Sequence, residues 1–136
     1  MKDNNRYILI VTIIGENTEN IINKLTNYNL IDSVSIGQKI IRKGKFIKYS
    51  DSSYNSLLRE IQLNENWNVV FNELLDFLFV EFQDKVKSNS LKIILKIAIT
   101  YKNQCNFELK LSEMEKLCLL NASFALSTNS DHSVLS

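Results

Sequence analysis

Residues 67–86 read WNVVFNELLDFLFVEFQDKV, and the predicted core is built around them. Large apolar residues recur here every three or four positions, which is typical of one face of an amphipathic helix. That face consists of Trp67, Phe71, Leu74, Leu75, Leu78 and Phe82. A helix of about twenty residues extends about 30 Å, enough to cross a small sheet. We predict a long central helix with this face on the core and with Val69 and Val80 on its polar side.

The composition predicts one small globular domain. The 136 residues include 16 basic and 15 acidic side chains, which gives a formal charge of +1. This charge provides neither the broad basic field of a general nucleic-acid binder nor the negative field of an acidic mimic. No apolar run resembles a signal peptide or a membrane span, so we expect a cytoplasmic protein without membrane association. Cys105 and Cys118 are expected to be reduced core residues.

Two neighbouring stretches show the strict alternation of apolar and polar residues that is typical of strands. They cover residues 91–101 and residues 105–111, and residues 102–104 form a short loop between them. Alternation with a period of two places all the apolar side chains of a strand on one face. The sequence therefore predicts an antiparallel hairpin with one face in the core.

The first half of the chain predicts a strand, a short helix and an irregular strand region. Residues 6–14 are almost continuously apolar, as in a central strand that is covered on both faces. Asn17 can cap a helix that reaches roughly to Tyr28. Residues 34–49 have an untidy strand pattern with bends at Gly37 and Gly44. Residues 54–63 fit a helical stripe and a strand alternation equally well, and the local pattern leaves both open.

The C-terminal part predicts a short helix, a last strand and a tail. Ser112 and Glu115 form an S-x-x-E capping box, which indicates a helix start after the hairpin. Asn121 suits the left-handed residue that closes a helix, and residues 122–126 follow as a strand. Together the elements predict an α+β fold in the order β-α-β-β-α-β-β-α-β, with a predominantly antiparallel sheet, a long central helix and two shorter helices. One domain is expected over residues 1–127, with a flexible polar tail over 128–136.

This order of elements resembles the bacterial family called domain of unknown function 4279. The likeness rests on residues 7–15, Ile22, Leu25 and Gly37, and on residues 109–112 and 120–122, and it covers nearly all the chain up to Ser127. Members commonly close on an Asp-x-Tyr pattern where this chain has Leu126 and Ser127, and carry a tryptophan where it has Tyr54. The resemblance implies a strand for residues 54–63 and brings no catalytic residues.

Few groups are suited to catalysis or metal binding. His132 is the only histidine and follows Ser130 and Asp131 in the predicted tail, whereas the members of a catalytic triad converge from rigid elements. Two distant cysteines and this histidine match no zinc spacing. We therefore predict a non-enzymatic protein with no catalytic residue, no metal site and no cofactor.

One segment between residues 39 and 49 has the character of a binding surface. It combines basic and aromatic residues with no acidic residue, and its candidate partner-binding residues are Lys39, Arg42, Lys43, Lys45, Phe46, Lys48 and Tyr49. A few aromatic or arginine anchors usually dominate the affinity of a protein interface, which makes Tyr49, Phe46 and Arg42 the first candidates. The absence of proline and the abundance of asparagine, isoleucine and lysine suggest an AT-rich bacterial or phage genome. We expect an immunity or inhibitor-type protein that blocks a partner protein, such as a toxin or host factor.

Several alternatives stay open at this point. Lysines also protect exposed sheet edges, so the segment fits a solvated hairpin. Basic and aromatic residues together can hold a phosphate backbone and stack on bases, which favours nucleic-acid binding. A small-ligand pocket between sheet and helix predicts a gap in the core near Trp67. The outer face of the long helix is a second candidate surface, and a homodimer is compatible with the sequence.

Overall fold

The structure is a computed structural model that describes residues 5–16, 18–50, 53–87 and 91–130. The elements in these residues are β1 (Arg6–Ile14), α1 (Glu19–Ile22), β2 (Asn29–Val34), β3 (Lys39–Arg42), β4 (Lys45–Tyr49), β5 (Tyr54–Glu60), α2 (Trp67–Lys87), β6 (Lys92–Tyr101), α3 (Leu111–Leu119) and β7 (Ser123–Ser130). They confirm the predicted α+β class with one long and two shorter helices. Their order differs from the prediction at three places, which are described below.

Five strands form one sheet in the order β2-β5-β1-β6-β7, and β3 and β4 form a separate two-stranded sheet. Strand β1 lies at the centre and pairs antiparallel with both β5 and β6. Strand β2 pairs antiparallel with β5, whereas β7 runs parallel to β6. The main sheet is therefore mixed and predominantly antiparallel, as the sequence predicts.

Helix α2 covers one face of this sheet and confirms the predicted core. Alternate residues of β1 and β6 are buried on that face, including Leu9, Val11 and Ile13 of the central strand. The predicted apolar face of α2 is buried from Phe71 to Phe82, and Trp67 is half-buried at its start. Residues of α1 and α3 join the same apolar cluster. Burial of each large apolar side chain contributes about 1.5–3 kcal/mol, so this single layer contact supplies much of the stability.

The predicted hairpin of residues 91–101 and 105–111 is wrong in its second half. Strand β6 is present, but residues 104–110 form no strand, and the strand beside β6 is the parallel β7. Cys105, Phe107 and Leu109 nevertheless pack against the core while the residues between them are exposed. The alternation arises because one side of an extended segment lies on the core, and it carries no information about hydrogen-bond pairing. The chain then enters α3, which connects the parallel strands β6 and β7, as such crossovers usually do.

The region before β5 also differs from the prediction. Helix α1 ends at Ile22 rather than near Tyr28, with Thr18 as its first flanking residue, and the proposed cap Asn17 lies outside the described residues. Strand β2 occupies residues 29–34, where no strand is predicted. It is an exposed edge strand with a register shift at Ile31, so it lacks the alternation that reveals a half-buried strand. Residues 54–60 are a strand, which decides between the two alternatives for this segment.

Helix α3 begins at Leu111, so the capping box of Ser112 and Glu115 is wrong. Glu113 takes the corresponding role, because its carboxylate accepts a 2.8 Å hydrogen bond from the backbone N–H of Lys110. Asn121 closes the helix with φ 48°, as predicted, and the N–H of Ala122 bonds back to the carbonyl of Leu117. Cys118 is an exposed free thiol on this helix, not a core residue, whereas Cys105 is a half-buried free thiol.

Strand β7 continues to Ser130, so residues 128–130 belong to the sheet and not to a tail. This correction leaves residues 131–136, with Asp131 and His132, outside the described residues. Backbone pairing with β6 explains the extension, because a polar edge strand needs little apolar surface of its own. In the part of the chain that the structure describes, no helix is both long and apolar enough to cross a membrane.

Candidate functional site

The segment that carries the candidate partner-binding residues is a β-hairpin, formed by β3 and β4. Its two central turn residues, Lys43 and Gly44, have φ angles of 54° and 75°. Positive φ at both positions is the signature of a type I′ turn, whose twist matches that of two antiparallel strands. The turn confirms the predicted bend at Gly44. The second predicted bend is also present, because Gly37 has φ 83° and Gln38 donates its N–H to the carbonyl of Ser35.

A bulge in β4 sorts the side chains of this hairpin onto two faces. The register changes between the pairs Ile40–Lys48 and Ile41–Phe46, so Ile47 is an extra residue in β4. Phe46 and Tyr49 are three residues apart and would point to opposite faces of a regular strand. The extra residue places both on the face that also carries Ile41, and their ring centroids lie 5.1 Å apart in an edge-to-face arrangement. We call Ile41, Phe46 and Tyr49 the aromatic face of the hairpin.

The opposite face of the hairpin is cationic. Arg42 and Lys45 are cross-strand partners there, and Lys48 lies opposite Ile40. Lys39 pairs with Tyr49 at the edge of the aromatic face, and Lys43 lies in the turn. The structure thus brings the candidate residues into one hairpin but separates Arg42 from Phe46 and Tyr49. A single three-residue anchor of Tyr49, Phe46 and Arg42 is therefore not formed.

All residues of the two hairpin strands except the half-buried Ile40 are exposed. Every residue of β4 is exposed, and Ile41, Phe46, Ile47 and Tyr49 are each more than half exposed. None of the four belongs to the apolar cluster of the core. Sequence reasoning missed Ile41 and Ile47 because the search there followed charge and aromaticity. The signal that could have identified them is the presence of apolar residues on both faces of the hairpin. A hairpin can pack only one face on the core, so apolar residues on the other face must be exposed.

Hydrogen bonds between its two ends close the base of the hairpin. The N–H of Gly37 bonds to the carbonyl of Ser50 at 2.8 Å, and the N–H of Ser50 bonds to the carbonyl of Gln38 at 2.9 Å. Ser50 is buried, in contrast to the strand that precedes it. The N–H of Ile36 also donates to the hydroxyl of Ser53 at 2.9 Å. These bonds close the hairpin at its base and order its own backbone, which reduces the conformational entropy that the segment would lose on binding.

The positive charge of Arg42 acts on Tyr54 of the main sheet. The Tyr54 hydroxyl donates a 3.0 Å hydrogen bond to the carboxylate of Asp32. This bond raises the pKa of Tyr54, and the positive charge of Arg42 partly offsets the increase. Arg42 therefore lies close enough to influence Tyr54 on β5.

The outer face of α2, the second candidate surface, offers little contiguous apolar area. Val69 and Val80 are exposed on it as predicted, at 53% and 69%. They are eleven residues apart, about 16 Å along the helix axis. Glu73 and Asp76 lie between them on the same side. Single exposed valines are ordinary on a protein surface.

An open groove of about 580 Å³ lies beside Trp67, formed by residues 5–7 and 60–67. It is not the predicted gap in the core. The Trp67 ring stacks on Tyr7 and on Phe107, at 5.7 Å and 5.1 Å between ring centroids. Glu65 fixes one wall of the groove, because its carboxylate accepts hydrogen bonds from Arg59 at 2.6 Å and from the N–H of Gln62 at 3.1 Å. A small ligand stays a prediction, with a surface groove as its only support.

A buried polar cluster joins α2 to α3 and was missed in the sequence. Glu113 is fully buried, and one of its oxygens accepts 2.7 Å hydrogen bonds from the side-chain amides of Asn68 and Asn72. Both asparagines are assigned by the sequence pattern to the solvent side of α2. Lys116 donates to Asn72 at 3.3 Å and pairs with Asp76 at 2.8 Å. Among the described residues, the donors to Glu113 are Asn68 and Asn72 of α2 and the backbone N–H of Lys110. The cluster therefore serves as a contact between the two helices.

Among the described residues, no group of three or more histidine, cysteine, aspartate or glutamate side chains could hold a metal ion. The prediction that residues 128–136 contain no catalytic triad concerns residues that lie largely outside the described part of the chain. The chain matches no family model, and neither a curated protein nor a solved structure shows significant similarity to it. The resemblance to the domain of unknown function 4279 family therefore stays a prediction.

Proposed function

We propose that this chain is a non-enzymatic protein-binding module whose recognition element is the β3–β4 hairpin. In this proposal the protein acts by occupying the surface of a partner, as an immunity or inhibitor-type protein does. A cytoplasmic location and a toxin or host factor as the partner belong to the same proposal. It depends on one observation: Ile41, Phe46, Ile47 and Tyr49 are more than half exposed on a hairpin whose base is closed by hydrogen bonds.

Exposed apolar area of this kind is unusual on an isolated small protein. Soluble monomers rarely leave a contiguous apolar patch in water, and such patches commonly mark interaction sites. Two neighbouring aromatic rings supply the large, rigid contact area that dominates the affinity of many interfaces. The five basic residues between positions 39 and 49, with no acidic residue among them, favour an acidic partner surface. Their charge would increase the association rate, while the aromatic face would supply affinity.

Nucleic-acid binding by the same hairpin is the second candidate function. The five basic residues favour it, since phosphate contacts supply most of the affinity in such complexes. The arrangement of the aromatic face favours protein instead. Phe46 and Tyr49 meet edge to face with an interplanar angle of 62°, so they do not form two parallel platforms for successive bases. Ile41 and Ile47 add exposed aliphatic area for which nucleic-acid backbones have no counterpart.

The proposal is tested by comparing two matched variants in a capture experiment. The hairpin variant Phe46→Ser/Tyr49→Ser removes the aromatic face, and the control variant Val69→Ser/Val80→Ser removes two exposed valines from α2. We expect the wild-type protein and the control to retain the same partner from an extract of the native host, with a defined mass for the complex. The hairpin variant should lose at least 100-fold in affinity. Its thermal stability should be unchanged within about 2 °C, because both side chains lie outside the core.

Equal retention of the partner by both variants would contradict the proposal. Ionic strength then separates the two candidate functions. Binding to nucleic acid weakens linearly on a double-logarithmic plot of affinity against salt, with a slope near the number of phosphates neutralised. A complex that depends on Phe46 and Tyr49 should weaken much less. Retention of single-stranded DNA by the wild type, abolished at high salt and by substitution of the basic residues alone, would favour the second function.

A further inference from the structure

Strand β7 is an edge of the main sheet that lacks the usual protection against pairing. Residues 123–130 contain no charged residue, no proline and no glycine. The opposite edge, β2, carries Asp32 and a register shift at Ile31. Charged side chains and bulges are the common means by which proteins prevent edge strands from pairing with another chain. The two edges of this sheet therefore differ, and β7 is the one suited to pairing.

The outer side of β7 is free within the described residues. Its inner side pairs with residues 94–101 of β6. No hydrogen bond in the part of the chain that the structure describes joins the other side to a second segment. Eight residues of extended backbone are about 26 Å long, and alternate N–H and C=O groups along them point outward. A further strand could add there with a full ladder of hydrogen bonds.

Helix α3 extends this edge with an apolar surface. It lies on the β7 side of α2, because Asn68 and Asn72 contact Glu113 while the other flank of α2 faces Tyr28 and Arg59. Glu113, Leu117 and Leu120 point inward and are buried. Leu111, Met114 and Cys118 follow each other at helical spacing on a different, exposed side. Leu126 of β7 is also exposed, at 44%, on the face of the sheet that carries the helices.

We propose that a second copy of this chain binds here, with β7 pairing antiparallel to β7 of its partner across a two-fold axis. The two sheets then form one continuous sheet of ten strands, with the two α3 helices side by side on the same face. An antiparallel pair is self-complementary, which a two-fold interface requires of its surface. The strand carries no charge, so two copies meet without repulsion. A partner of strong charge would find no complement on this strand.

The size of the surface fits a reversible dimer. A strip about 26 Å long and about 20 Å high, for a strand and a helix, has an area of about 500 Å² per copy. The total of about 1,000 Å² is at the lower end of specific protein interfaces. We therefore expect a dimer that dissociates on dilution. The interface lies on a different edge from the hairpin, so it does not depend on the proposed function.

This inference is tested by measuring the molar mass of the protein in solution at a series of concentrations, by sedimentation equilibrium. The wild type should approach twice the chain mass of 15.7 kDa at high concentration and the single-chain mass on dilution. The variant Leu126→Lys places two like charges near the centre of the paired strands and should be monomeric throughout. The control Val80→Lys changes an exposed valine on α2 and should dimerise as the wild type does.

A charge-exchange experiment shows that loss of the dimer is not a failure to fold. Leu126→Glu alone should also be monomeric, because the two glutamates repel each other. An equimolar mixture of the Lys and Glu variants should form a heterodimer, visible by native mass spectrometry, because opposite charges then face each other. A wild type that stays at 15.7 kDa at every concentration would overturn the inference. Dimeric Leu126→Lys, or folded variants that fail to combine, would overturn it equally.

Discussion

At the scale of single residues, the least expected feature is a fully buried carboxylate between two helices. Glu113 accepts hydrogen bonds from two side-chain amides and from the backbone N–H of Lys110. A buried charged group is costly unless it is fully hydrogen-bonded, and these three donors provide that. The three donors depend on the carboxylate in turn, because a donor that is removed from water and left without an acceptor reduces the stability of the folded protein. Glu113 therefore fixes both the start of α3 and its position on α2.

Glu113→Ala should destabilise the protein by about 2–4 kcal/mol, because the N–H of Lys110 and the amide of Asn68 lose their acceptor, and the amide of Asn72 keeps only its bonds to Asn68. Glu113→Gln should cost less, since one oxygen remains and either the amides of Asn68 and Asn72 or the N–H of Lys110 keep a partner. The measurement is unfolding in urea, followed by circular dichroism. Glu115→Ala, on the exposed side of the same helix, should change stability by less than about 0.5 kcal/mol. A similar small change for Glu113→Ala would contradict this account of the cluster.

A second carboxylate, Glu65, gives stability a dependence on pH. The backbone N–H of Gln62 and the guanidinium of Arg59 hold the pKa of Glu65 below its ordinary value of 4.5. A group whose pKa is lowered on folding stabilises the folded state above its unfolded pKa. That stabilisation is lost as the pH falls through the lowered value. Glu65 therefore helps to fix residues 61–66 at neutral pH and ceases to do so in acid.

Glu65→Gln should reduce the free energy of unfolding by about 0.5–1 kcal/mol at pH 7. The difference from the wild type should shrink as the pH falls below about 4.5 and vanish in stronger acid. Urea unfolding at a series of pH values measures it. In an Arg59→Met background the difference at pH 7 should be smaller but still present, because the N–H of Gln62 remains. A difference that is constant across the series would show that the charge of Glu65 plays no part.

At the scale of elements, the β3–β4 turn is the place where the backbone itself is strained. Lys43 has φ 54°, a left-handed conformation that costs a residue with a Cβ atom about 1–2 kcal/mol. Asparagine tolerates this conformation better, so Lys43→Asn should stabilise the hairpin by about 0.5–1 kcal/mol. Gly44→Ala should destabilise it by about 1 kcal/mol through backbone strain alone, since a Cβ atom there would meet no neighbour within 4 Å.

These effects should be local, because the hairpin contributes nothing to the buried cluster of the domain. Hydrogen exchange of the amides in residues 39–49 is the appropriate measurement. Exchange should slow by about two- to five-fold in Lys43→Asn and accelerate by about five-fold in Gly44→Ala, while the midpoint of thermal unfolding stays constant. Lys45→Gln, which removes the same charge outside the turn, serves as the control. Unchanged exchange in Lys43→Asn would show that the turn is not strained.

The elements that the sequence predicts correctly are those whose pattern reflects burial on the core. Helix α2 and strand β6 each bury one regular face, so periodicity alone locates them. Strand β1 is located by its apolar run, but it buries only one face fully and leaves the other half-exposed, in contrast to the predicted cover on both faces. Strand β2 and the end of β7 beyond Leu126 lie at the edges of the sheet and are held mainly by backbone pairing, which leaves little trace in side-chain pattern. The start of β7 is predicted correctly as a strand over residues 122–126. The extended segment from Cys105 to Lys110 shows the reverse case, a strand-like alternation without a strand.

The candidate hairpin illustrates how far the sequence reaches into a site. Its charge and aromatic content are evident from residues 39–49, and Gly44 indicates the turn. The bulge at Ile47, which places Phe46 and Tyr49 on one face and Arg42 on the other, depends on register. Register is set by the hydrogen bonds between two strands, so it cannot be predicted from the sequence of one strand alone. The interaction of Glu113 with Asn68 and Asn72 is hidden for the same reason, because it joins two helices.

At the scale of the whole molecule, the hairpin is joined to strands at one side of the main sheet, and strand β7 forms the edge on the other side. The hairpin connects β2 to β5, and β7 is the last strand on the other side. In the proposed dimer the two β2 strands are separated by nine strand spacings, about 43 Å. The two hairpins would therefore lie at the far ends of a continuous sheet, both free to bind. Two linked sites can hold two partner molecules at once when the partner is repeated on a surface.

This arrangement predicts avidity that disappears with the dimer. On a surface that carries the captured partner at high density, the wild type should dissociate at least ten-fold more slowly than Leu126→Lys, which retains the hairpin but not the interface. At a partner density too low for two sites to be bridged, both proteins should dissociate at the same rate, because each hairpin then acts alone. Surface plasmon resonance at two densities measures both rates, and Val80→Lys should follow the wild type at each density. If Leu126→Lys dissociates faster even at low density, then β7 itself contacts the partner, and the assignment of separate roles to the two edges of the sheet is wrong.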